Sequence, residues 1–138
     1  MPIDAEALLQ AARAAQAQAY APYSRYRVGV ALATPGGRVF SGCNVENAAY
    51  PSGTCAEAGA IAAMVAGGER EIAEILVVGQ GPELITPCGN CRQRIREFAI
   101  AGTRVHAAGP NGVQRSFTLD ELLPHSFGPE HLPERPGA

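Results

Sequence analysis

Apolar residues recur at helical spacing over the first twenty positions. Leu8, Ala11, Ala12, Ala15 and Ala19 share one face of a run of strong helix formers from Asp4 to Ala19. Asp4 supplies an N-cap and Pro22 ends the run. An alanine-lined face admits a close neighbour, so this helix is expected to lie flat on a sheet. The pattern then changes. Arg27 to Thr34 and Arg38 to Cys43 are apolar runs split by Pro35-Gly36-Gly37, which predicts an antiparallel hairpin. Asn44 to Gly53 is polar and small-residue-rich and reads as a loop held by rigid flanks. Helical spacing returns from Cys55 to Ala66 and stops at Gly67-Gly68. Glu74 to Gly79 suits a buried central strand. Thr86 as cap and Pro87 at the first helical position open a helix that runs to about Ile100 and stops at Gly102. Arg104 to Ala107 and Val113 to Phe117 read as strands, and Leu119 to Leu123 as one helical turn. From Pro124 the proline-rich remainder reads as a tail over the surface, within a single domain spanning 1–138. Helices interleaved with strands in this order predict a mixed sheet covered by helices, an α/β sandwich.

Composition narrows the function classes. A chain of 138 residues can bury a core without staples. With 46% hydrophobic and 17% charged residues it reads as globular rather than disordered. A formal charge of -2 argues against a partner held through phosphates, so no nucleic acid is expected and a small molecule is. No secretory pattern is read at the N-terminus. The most apolar window, Ala58 to Ala66, is far short of the ~20 residues that span a bilayer, so no membrane partner is expected. A cytoplasmic location follows as an expectation, and there four cysteines point to metal or catalysis rather than disulfides.

Three of those cysteines carry the chemistry. Cys88 and Cys91 stand one helical turn apart, so both sulfurs can face one point, and Cys55 opens the other long helix. Both segments lie at helix N-termini, where the dipole favours thiolate. Zinc takes three protein ligands and keeps a fourth position open in catalytic sites. Other readings stand beside this one. Cys88-x-x-Cys91 also fits a redox pair. Cys43 as a fourth sulfur would make a closed, non-catalytic zinc module. Thr54-x-x-Glu57 fits a capping box, which would explain Glu57 without catalysis.

Longer stretches point further. Tyr20-Ala21-Pro22-Tyr23-Ser24-Arg25-Tyr26 with Val28-Gly29, then Gly42-Cys43-Asn44-Val45-Glu46-Asn47-Ala48-Ala49-Tyr50, Thr54-Cys55-Ala56-Glu57 and Pro87-Cys88-Gly89-Asn90-Cys91-Arg92-Gln93, occur in one order. With Glu121 to Phe127 at the end, the chain resembles the small homotetrameric zinc-dependent cytidine deaminases. The resemblance covers nearly the whole chain and sets the redox and closed-zinc readings aside. It implies a three-layer α/β/α sandwich with a mixed sheet of about five strands, and one zinc ion per subunit on Cys55, Cys88 and Cys91. Glu57 is implied as the proton shuttle, Asn44 and Glu46 on the ribose hydroxyls, and the Ala56 backbone near the base. Tyr26 is implied beside the nucleoside. Phe127 is implied to reach a neighbouring subunit's pocket, with active sites shared in a homotetramer. The implied reaction is hydrolytic deamination of cytidine and 2'-deoxycytidine, with a deaminase of an analog such as blasticidin S as the alternative. One departure stands out: relatives often read Cys-Ala-Glu-Arg, whereas Ala58 follows Glu57 here. Arg92 and the two helix ends are then expected to offset the thiolate charge.

Overall fold

A computed structural model describes residues 4–133. Helix α1 (Ala5–Gln16) is capped by Asp4, whose carboxylate accepts from the Glu6 N–H at 3.0 Å. It ends three residues before the expected Ala19. Tyr20 pairs with residue 45 of a distant segment, and that pairing draws the chain out of the helix well ahead of Pro22. Strands β1 (Gly29–Ala33) and β2 (Val39–Cys43) form the expected hairpin. Helix α2 (Ala56–Ala66), strand β3 (Ile72–Val78) and helix α3 (Gly89–Phe98) follow. Strands β4 (Ala99–Gly109) and β5 (Gly112–Thr118) and the short helix α4 (Leu119–Leu122) complete the order.

The strands make one sheet in the order β2-β1-β3-β4-β5. β3 and β4 run parallel, joined through α3, and the other pairs are antiparallel. Alternation along each strand sends its residues to two cores. Leu76 and Val78 of β3 pack with Leu8, Leu9 and Ala12 of α1 on one face. Ile75 and Val77 pack with Ala60, Met64 and Ile95 on the other, under α2 and α3. The result is the three-layer α/β/α arrangement with a mixed five-stranded sheet.

Two details position the site. A Cβ added at Gly42 would lie 2.5 Å from the Ala60 nitrogen and 2.7 Å from the Ala56 carbonyl oxygen. Only glycine there lets α2 lie directly against β2. The start of α3 also differs from expectation: Cys88 is the N-cap, not Thr86, and Pro87 lies outside the helix. The Thr86 hydroxyl is instead taken by Arg92 Nη2 at 2.7 Å. Of the tail from Pro124, residues 134–138 lie outside the described residues; the described part holds a 3-10 turn at Pro129–His131.

Candidate active site

The starts of α2 and α3 converge at the bottom of a cleft of about 420 Å³. Cys55 is the N-cap of α2, Cys88 is the N-cap of α3, and Cys91 lies in the first turn of α3. Their three sulfurs lie within 4.8 Å of one another. Tetrahedral zinc at ~2.3 Å from three thiolates spaces the sulfurs ~3.8 Å apart, inside that limit. The donor set and its spacing fit a zinc ion. Cys43 is outside this cluster, so the four-sulfur site is not formed. All four cysteines are free thiols.

Electrostatics differ among the three. Burial pushes the Cys55 and Cys91 thiols up, and neighbouring negative charge adds to the rise. Burial acts on Cys88 too, but hydrogen bonds from the Cys91 N–H, the Cys91 thiol and the Asn90 N–H together outweigh it and bring that thiol below its ordinary value.

Glu57 sits in the first turn of α2 beside the sulfurs and is 5% exposed. Burial raises its carboxyl above the usual range, while its own N–H, the Cys91 thiol and Arg94 pull it down without cancelling the effect. The capping-box explanation for Glu57 is absent: no side chain caps α2, and Thr54 is drawn into backbone pairing with Val45 at 2.9 and 3.0 Å. A reciprocal box does form between Thr118 and Glu121, at the start of α4.

The rim is built from the stretch after β2. Residues 44–46 are extended between Tyr20 on one side and Thr54 on the other. Asn44 and Glu46 both line the cleft. Each also holds backbone. Asn44 Oδ1 accepts from the Val28 N–H and its Nδ2 donates to the Tyr26 carbonyl, both at 2.9 Å. Glu46 Oε1 accepts from the Tyr23 and Ser24 N–H groups at 3.0 Å, and Oε2 accepts from the Ser24 hydroxyl. Those bonds keep its carboxyl below the usual range. Tyr26 lines the wall near Ile85, and Ala56 lines the floor. A Cβ at Gly79 would press on the Tyr26 hydroxyl and the end of the Ile85 side chain, so a larger residue there would displace both.

Two expected residues lie elsewhere. Phe127 is 58% exposed, stacks on His131 at 5.2 Å, and does not line the cleft. Arg92 does not contact sulfur. Its guanidinium donates to the Pro87 carbonyl, the Leu122 carbonyl and Thr86 Oγ1, each at 2.7 Å, and so ties the segment before α3 to α4. The contact to sulfur comes from Arg94, whose Nη1 lies 3.3 Å from Cys91 Sγ. Sequence reasoning missed Arg94 and Ser24. The available signal for Arg94 is its i, i+3 spacing from Cys91 on one helix face; no local pattern singles out Ser24.

A family model described as the cytidine and deoxycytidylate deaminase zinc-binding region matches residues 2–107. A cytidine deaminase from Sporosarcina psychrophila is 38% identical over 130 residues, covering 94% of this chain and 96% of that protein. A cytidine deaminase from Mycobacterium tuberculosis strain H37Rv is 42% identical over 120 residues, 86% of each chain. Among solved structures, the cytidine deaminase from Burkholderia pseudomallei superposes with a TM-score of 0.83 at 43% identity, covering 91% of this chain and all of that one.

Proposed function

The chain belongs to the cytidine and deoxycytidylate deaminase family, and on that premise we propose that its cleft hydrolyses cytidine and 2'-deoxycytidine to uridine and 2'-deoxyuridine with release of ammonia. The observation that carries this reading is the meeting of three cysteine sulfurs within 4.8 Å of one another, with Cys55, Cys88 and the buried Glu57 lining one cleft and Cys91 buried behind them. Cys55, Cys88 and Cys91 would hold one zinc ion. When bound, zinc supplies the Lewis acidity that makes a water nucleophilic near neutral pH.

The chain's own residues do the rest. Glu57 takes one proton from the attacking water and delivers it to N3 of the pyrimidine as the water oxygen bonds to C4. It then takes the second proton from the hydroxyl on C4 and passes it to the amino group, so that the C4–N bond breaks, ammonia leaves and C4 becomes a carbonyl. Burial suits it to both jobs, because a carboxyl held above its ordinary range exchanges protons nearer neutrality. Asn44 and Glu46 face the cleft two residues apart and each retains lone pairs or N–H capacity for a sugar hydroxyl. The Ala56 backbone borders the base, and Tyr26 walls the cleft beside it.

The assembly belongs to the same reading. Phe127 projects outward, and its carbonyl is fixed by Gln93 Nε2 at 2.8 Å. In a homotetramer it would close a neighbour's cleft and stack on the base. A cytoplasmic location accords with the free thiols. Among the described residues, no helix is long and apolar enough to cross a membrane.

A substrate panel tests the reading. Purified protein carrying zinc is incubated with cytidine, deoxycytidine, CMP, cytosine and blasticidin S, and ammonia release is followed. Turnover of the two nucleosides is expected. Turnover of blasticidin S alone would move the assignment to the analog deaminases, and no turnover of any would overturn it.

A further inference from the structure

A dication bound by three thiolates carries surplus negative charge, which weakens it as a Lewis acid unless a cation stands close. The residue after Cys55-Ala56-Glu57 is Ala58, which carries no charge. The helix ends supply partial charge only. Among the described residues, Arg94 is the one cation with a hydrogen bond to a sulfur of the cluster, Nη1 to Cys91 Sγ at 3.3 Å. Nearby arginines are engaged otherwise. Arg92 donates to three oxygens, and Arg96 donates to Ser126 and pairs with Glu130. Arg94 is half-buried, follows Cys91 by one helical turn, and its side chain runs back along α3 toward the cluster.

We propose that Arg94 is a positioning residue for the metal centre: its guanidinium fixes the Cys91 sulfur and offsets the surplus charge of the three-sulfur ligand set from α3. The proposal rests on the zinc-ligand reading above. Arg94 does not line the cleft, so it acts through Cys91 and not on the nucleoside. A guanidinium donating to a ligand sulfur orients it and discourages protons from displacing the metal, as partners of metal ligands generally do.

Zinc release is the direct readout. Wild-type, Arg94→Gln and Arg94→Lys proteins, each loaded with zinc and matched by circular dichroism, are mixed with excess 4-(2-pyridylazo)resorcinol. The glutamine variant should release zinc roughly tenfold faster, the scale typical of losing a partner of a metal ligand. The lysine variant, which keeps the charge but not the planar fork, should fall between the two. In parallel, kcat for cytidine should fall about tenfold in Arg94→Gln with KM unchanged, a split that general loosening of the cleft would not produce. If the glutamine variant does not fold, Arg94→Met keeps the aliphatic stem and is judged by the same results. Wild-type release and kcat in the uncharged variant overturn the role of Arg94 alone. A wild-type protein that takes up no zinc overturns the ligand assignment, and this role with it.

Discussion

The floor and the rim of the cleft are built on opposite principles. At the floor, Cys55, Cys88, Cys91 and Glu57 stand at two helix starts that are held by packing on the sheet, with Gly42 admitting α2 against β2. Among their described hydrogen bonds to other side chains, only Arg94 to Cys91 brings in a residue outside the cluster. At the rim, Asn44 and Glu46 are the fasteners of the loop that displays them. The difference teaches that chemistry and stability are separable at the floor and joined at the rim.

The strongest way to break this contrast is to remove one of the three sulfurs. Cys55→Ala should take zinc from one per chain to none and abolish turnover, while the metal-free protein melts within a degree or two of metal-free wild type. Equal loss of fold in the metal-free state would show that the floor is structural after all. Asn44→Ala comes next. It leaves the Val28 N–H and Tyr26 carbonyl without their partner, so it should lower kcat/KM by roughly 10–100-fold and cost about 1–3 kcal/mol in denaturant unfolding. A loss of activity with full stability would place Asn44 with the floor. Glu46→Gln is milder, because an amide oxygen can still accept from the Tyr23 and Ser24 N–H groups. A fall of roughly tenfold in kcat/KM and a stability change under about 1 kcal/mol are expected.

The smallest effect comes from pH. Burial raises the Glu57 carboxyl in the fold, so the folded state holds that proton more tightly than the unfolded state. Its contribution to stability is then complete below the unfolded-state pKa and is lost as pH rises through the folded one. In metal-free protein, Glu57→Gln removes that loss. The variant should out-melt wild type near neutrality, and the gap should close as pH falls below the ordinary carboxylate range. A gap that widens toward acid would reverse the sign and contradict the raised value.

Much of the floor was legible in the sequence because its spacing is local. Cys88 and Cys91 share a helical turn, and Cys55 and Glu57 open a run of helix formers after a loop. The strand order of the hairpin was equally plain from its Pro-Gly-Gly turn. What was hidden depends on contacts far apart in sequence. The end of α1 is set by pairing at Tyr20, and the start of α3 is set by an arginine that takes the hydroxyl of Thr86. Gly102 reads as a helix stop in the sequence; with φ of +84° it instead lies inside β4, which begins immediately after α3, where the pairing with β3 shifts register. The choice between Arg92 and Arg94 was also beyond composition. Both are cations near two cysteines, and only helix phase separates the one that meets oxygen from the one that meets sulfur.

The central claim is that Glu57 moves protons beside a metal it does not hold. The most direct measurement compares wild type with Glu57→Gln for zinc content and ammonia release from cytidine on the same preparations. One zinc per chain in both proteins, with turnover lower by roughly 10³-fold or more in the variant, is the predicted result. Turnover in the variant within a few-fold of wild type at equal zinc would contradict it.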